Sequence, residues 1–134
     1  MKGIIKGLLS RFNSTPKELE RFPPQVWERL QSGPEDDNMI VARALPSTNR
    51  FSRWVIIYQR KSNDIRDQYF KLRYTIHEFE LPNTTAELNT SEKINKKTWY
   101  VRKEEEIYEL LYRIGIQPGN FSLPALSNYP FASL

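Results

Sequence analysis

The stretch Arg53-Trp-Val-Ile-Ile-Tyr-Gln-Arg60 is apolar at odd and even positions alike. A strand with one wet face alternates apolar and polar residues, so a strand that does not alternate must be covered on both faces. This run therefore predicts a central strand with pairing partners beside it and packed layers above and below. Met39 to Leu45, a β-branched run bounded by Pro46, supplies one partner strand. Gln68 to Leu81 supplies a longer one. Phe70, Leu72, Tyr74 and Ile76 share one of its faces, and Lys71, Arg73, Thr75 and His77 share the other. After His77 the parity reverses, with Phe79 and Leu81 apolar and Glu78 and Glu80 polar, so a bulge or bend is expected near His77. Thr98 to Arg102 is a short fourth strand. The polar segment 82–97 before it is expected to be a long loop.

Helix signals flank this sheet. Thr15-Pro16 with Glu18 marks a helix start, and that helix must end before Pro23 because Phe22 precedes a proline. A second short helix is predicted from Pro24 to Gln31 or Ser32, with Val26, Trp27 and Leu30 inward and Gly33-Pro34 closing it. Glu35-Asp36-Asp37-Asn38 is a polar acidic loop. Glu104 to Ile114 is a helix with Ile107, Leu110, Leu111 and Ile114 inward, stopped by Gly115. The expected fold is one α+β domain over residues 1–134. Its parts are an amphipathic segment at 1–12, short helices over 13–33, a mainly antiparallel sheet of about four strands over 39–102, one helix over 104–114 packed on the sheet, and an extended tail over 121–134. The core is expected to gather Trp54, Ile56, Phe70, Leu72, Tyr74, Ile76, Trp99, Val101, Ile107, Leu110, Leu111 and Ile114.

Composition removes several chemistries. The 134 residues include no cysteine and one histidine, which excludes a disulfide framework, a thiol nucleophile and a cysteine zinc site. A serine triad has only His77 to draw on. That residue lies beside Glu78 and Glu80 on the charged face of a strand, which reads as a surface histidine. Glu104, Glu105 and Glu106 read as dipole-complementing acids of a first helical turn, where adjacent side chains point apart. Asp36-Asp37 lacks the spacing of a calcium loop. With five scattered glycines there is no phosphate-binding loop. No enzyme activity, cofactor or metal is expected. A cysteine-free chain with no apolar run of about 18 residues is compatible with a cytoplasmic, reducing environment.

The charge is uneven. Residues 50–103 hold twelve Lys/Arg against six Asp/Glu, whereas residues 104–134 hold one against four. A positive centre points to an acidic partner. The expected function is binding to a larger protein or complex, as an inhibitor or accessory subunit. Arg60, Lys71 and Arg73 steer the contact. Two apolar ends provide further anchors. Ile4, Ile5, Leu8, Leu9 and Phe12 share one face of an N-terminal amphipathic helix. That helix packs on the core, docks in a partner's groove, lies peripherally on a membrane, or serves as a presequence. Phe121, Tyr129 and Phe131 stud a tail that wraps the domain or docks on a partner. Single-stranded nucleic acid is the alternative ligand, because Tyr58, Tyr69 and Tyr100 are interleaved with the basic residues.

Overall fold

The computed structural model describes residues 20–33, 38–44, 50–60, 65–83, 93–127 and 129–130. Along the chain these form α1 (Pro24–Gln31), β1 (Ile40–Ala44), β2 (Phe51–Gln59), α2 (Ile65–Phe70), β3 (Tyr74–Pro82), β4 (Ile94–Val101) and α3 (Glu104–Ile114). Two single 3₁₀ turns follow at Pro118–Asn120 and Pro124–Leu126. The four strands make an antiparallel meander in the order β1-β2-β3-β4. This is the α+β fold expected, with one C-terminal helix on an antiparallel sheet.

Both faces of β2 are covered. Val55 and Ile57 point into one cluster with Ile40, Ala42, Ala44, Tyr74 and Ile76, beneath Val26 and Leu30 of α1 and Ile107, Leu110 and Leu111 of α3. Trp54 and Ile56 point the other way, into a smaller cluster with Met39, Val41, Phe79, Leu81 and Tyr129. Burial of each such side chain contributes about 1.5–3 kcal/mol, so the central strand is the chief source of cohesion. Polar contacts fix α1 against the sheet. The Gln59 amide donates to the Leu30 carbonyl at 2.9 Å, and the Gln31 amide donates to the Tyr74 hydroxyl at 2.8 Å.

α3 begins and ends as its residues dictate. The Arg102 backbone N–H donates to Glu106 Oε1 at 2.6 Å, and the Arg102 guanidinium donates to Glu106 Oε2 at 3.0 Å. These contacts hold the Glu106 carboxyl below the usual carboxylate range, the backbone hydrogen bond being the main cause. Glu104 accepts from the Tyr108 hydroxyl at 2.9 Å. At the other end Gly115 takes the left-handed conformation, φ 78°, and its N–H bonds the Tyr112 carbonyl.

Several expectations need correction. Residues 68–70 belong to α2 and not to β3, and Phe70 is exposed where a core position was expected. Leu72 is only half-buried, because it lies in the link between α2 and β3. β4 begins at Ile94, so the presumed loop over 82–97 gives its last four residues to a strand. The expected change of facing near His77 also does not occur. β3 stays in unbroken register with β2 from Tyr74 to Pro82. Phe79 and Leu81 keep the facing of His77, and they are apolar because that face has its own cluster under Tyr129. The irregularity lies on the β4 side, where Glu78 pairs Lys97 but Glu80 pairs Ile94. The extra residue there includes Asn95 at φ 54°, a residue type that tolerates this conformation.

Candidate functional site

The turn that leaves β2 and the turn that enters β3 meet at one end of the sheet. The Arg60 N–H donates to the Arg73 carbonyl at 2.7 Å, and the Arg73 N–H donates to the Val101 carbonyl at 2.9 Å. These bonds hold the ends of three strands together. α2 sits in the connection between β2 and β3 and places Tyr69 and Phe70 just before Lys71. Lys71 adopts φ 59°, an uncommon conformation for a residue with a Cβ, and so turns the chain from α2 towards β3.

This end carries aromatic surface and positive charge together. Tyr69, Phe70 and Tyr100 are 79%, 55% and 51% exposed, unusual values for three large rings in a single region. Tyr69 and Phe70 pack edge to face, with centroids 4.9 Å apart. The Arg60 guanidinium lies 4.2 Å from the centre of the Tyr100 ring and donates to Thr75 Oγ1 at 3.1 Å. The Arg73 guanidinium lies 5.4 Å from the Tyr74 ring centre. Such cation–π contacts fix long side chains in place.

Next to this patch, on the face away from the helices, His77 is held between two hydroxyls. The Tyr58 hydroxyl is 3.2 Å from its Nε2, and the Thr98 hydroxyl is 2.8 Å from its Nδ1. Burial lowers the imidazole's pKa from its usual value, and the positive charge of Lys93 adds to the effect. Lys93 itself lies 4.4 Å from the centre of the Phe79 ring, and its own pKa is lowered by burial and then by Lys96. Through these two contacts His77 links β2, β3 and β4. A cavity of about 250 Å³ opens elsewhere, at Val41, Arg43, Trp54 and Ser122, and His77 is not in its lining. Among the described residues no group of three or more His, Asp or Glu is arranged to hold a metal ion.

Of the residues singled out from the sequence, Arg60, Lys71 and Arg73 come together at this end. Phe121 and Tyr129 do not. Phe121 is buried against Phe22, edge to face at 5.3 Å. Ser122, the next residue, exchanges backbone hydrogen bonds with Val41 on the outer edge of β1. Tyr129 packs on Trp54 at 5.1 Å, and burial pushes its phenol up to about 12. The described part of the tail thus wraps its own domain, and Phe121 and Tyr129 spend their apolar surface there and not on a partner. Ile4, Ile5, Leu8, Leu9, Phe12 and Phe131 lie outside the described residues, as do Asp36 and Asp37. Phe70 is the member of the patch that periodicity concealed. Ser62-Asn63-Asp64, three residue types that favour helix starts, is the sequence signal from which α2 could have been read.

Comparison of the chain with known protein families, curated proteins and solved structures finds no match.

Proposed function

We propose that the chain is a non-catalytic protein-binding module, of the inhibitor or accessory-subunit type, that docks on a larger protein bearing an acidic surface. The observation that carries this reading is that Arg60, Lys71 and Arg73, and the exposed rings of Tyr69, Phe70 and Tyr100, all lie on segments that converge at one end of the sheet, with Arg60 seated over Tyr100. Tyr and Arg dominate the energetics of protein contacts because each combines large apolar area with hydrogen bonding. The cations speed encounter with an acidic surface, and the rings supply the burial that holds it. A cytoplasmic site of action belongs to this proposal and rests on the cysteine-free composition.

The test is affinity capture with the whole chain from nuclease-treated native extract, set against the variant Arg60→Glu/Lys71→Glu/Arg73→Glu. The expected result is an acidic protein retained by the wild type and lost with the variant. Retention of the same protein by both forms, or capture of nucleic acid alone from untreated extract, overturns the proposal.

A second reading is favoured by one contact. Arg60 stacked on Tyr100, with Tyr58 on the same sheet face, forms a platform of the kind on which bases stack. Binding of single-stranded nucleic acid would weaken steeply with salt. No binding to an oligonucleotide at low salt removes this reading.

A further inference from the structure

The two edges of the sheet differ. The outer edge of β1 is partly occupied by the tail through the Val41–Ser122 bridge. β4 pairs only with β3, and among the described residues no chain pairs with its outer side. Residues 94–98 and Tyr100 are exposed. Alternate residues of such a strand direct N–H and C=O groups away from the sheet, where they can pair with another extended chain.

The sequence of this edge selects its occupant. Residues 93–103, Lys-Ile-Asn-Lys-Lys-Thr-Trp-Tyr-Val-Arg-Lys, contain five cations and no acid. A second copy is disfavoured in either orientation. Parallel pairing sets Lys96 and Lys97 against themselves, and antiparallel pairing brings them towards Arg102 and Lys103. The lysines that repel a like strand attract an acidic one. The irregularity at Asn95 ends regular pairing on one side, which leaves Lys96 to Val101 as the usable edge, about 20 Å long. Lys96 and Lys97 stand at one end of that length, Lys103 lies beyond the other, where Arg102 is already paired with Glu106, and Trp99 and Tyr100 stand between them.

We propose that β4 is a strand-addition edge that receives an extended acidic peptide segment as a fifth strand, with acidic residues at its ends and apolar or aromatic residues against Trp99 and Tyr100. This deepens the docking function proposed above and rests on it, since the segment would belong to the acidic partner. Backbone pairing provides the affinity, and the flanking lysines provide the selectivity.

The test uses the full chain and a synthetic peptide of about ten residues with Glu at both ends and Val and Tyr between them. A copy of the peptide N-methylated at alternate residues carries the same charge but cannot complete a ladder. Binding is followed by fluorescence anisotropy, and the contact is located by amide hydrogen exchange. We expect exchange to slow at alternate amides within residues 96–101. We also expect the N-methylated peptide, and the variant Lys96→Glu/Lys97→Glu, each to weaken binding by at least about tenfold. Equal binding of the N-methylated peptide overturns strand addition even if the charge-reversal variant fails to fold. So does slowed exchange of the same amides by a single-stranded oligonucleotide but not by the peptide, or concentration-dependent dimerisation through residues 96–101. An acidic peptide that binds regardless of N-methylation, and is lost with the Arg60→Glu/Lys71→Glu/Arg73→Glu variant, overturns strand addition while leaving the docking function intact.

Discussion

Arg53 and Glu78 form an ion pair on the helix-covered face of the sheet, under the C-terminal end of α3. The Glu78 carboxylate accepts from Arg53 Nε, and the same guanidinium donates to the Ile114 carbonyl at 3.0 Å. Their side chains are only 8% and 14% exposed, Glu78 the less. They are diagonal neighbours, since Glu78 stands directly opposite Val55 and Glu80 opposite Arg53. The pair therefore ties β2 to β3 and both to the end of α3, where the last carbonyls favour a cation.

Removing one partner leaves the other's largely buried charge without this ion pair. Glu78→Ala or Arg53→Ala should each cost about 3 kcal/mol or more. The double variant Arg53→Met/Glu78→Leu should lie close to the wild type, because an apolar pair of similar volume has no charge to desolvate. Urea unfolding of the three variants checks this. Single variants that cost less than about 1 kcal/mol would mean that water reaches the pair and screens it.

The same pair shows what could and could not be read from the residues. Unbroken apolar character placed β2 at the centre, and the spacing of Ile107, Leu110, Leu111 and Ile114, with Gly115 as the stop, placed α3. Both inferences rest on local patterns that the packed fold merely completes. β3 was harder. Its alternation runs back through Phe70 and Leu72, and nothing in the spacing says that Lys71 takes a left-handed turn. Glu78 and Glu80 looked like a solvent face because they are acids. In fact Glu78 is buried, with Arg53, distant in sequence, as its ion-pair partner. β4 was partly hidden because an edge strand has little to bury, and residues 94–97 are polar enough to pass for a loop. The basic residues of the candidate site were legible as charge, but the exposure of Phe70 beside Lys71 was not, because it depends on α2.

His77 makes stability depend on pH in a defined direction. Its folded pKa lies below the usual 6.5 through burial and the nearby Lys93. The unfolded chain therefore binds the proton more readily, and stability must fall as the pH drops below about 6.5 towards the folded value. Above that range the contribution is complete. Thermal unfolding at pH 7.5 and pH 5.5 should give a lower midpoint at the acid pH. His77→Gln, which keeps polar contact with Tyr58 and Thr98 but does not titrate, should flatten the difference. As His77 is the only histidine in the chain, an equal acid loss in the variant would assign the effect to other groups.

Gly115 ends α3 at φ 78°, and an added Cβ would meet nothing within 4 Å. Crowding is therefore not the issue, and a substitution tests backbone conformation alone. Gly115→Ala should cost about 1 kcal/mol, and Gly115→Asn less, because asparagine tolerates the left-handed region better. Equilibrium unfolding in urea distinguishes the two, and equal costs would show that the helix end relaxes to another conformation.

Lys71 allows charge and fold to be separated at the candidate site. At φ 59° its Cβ strains the turn between α2 and β3, so Lys71→Gly should leave stability unchanged or raise it by up to about 1 kcal/mol. The substitution also deletes one cation beside Tyr69 and Phe70. A contact between this patch and an acidic protein should then associate more slowly, with a shallower dependence of the on-rate on salt and little change in the off-rate. Stopped-flow association of the captured partner, measured across ionic strengths with the wild type and Lys71→Gly, provides the check. An unchanged on-rate and salt slope in a variant at least as stable as the wild type would remove Lys71 from the contact and leave Arg60 and Arg73 to carry the steering.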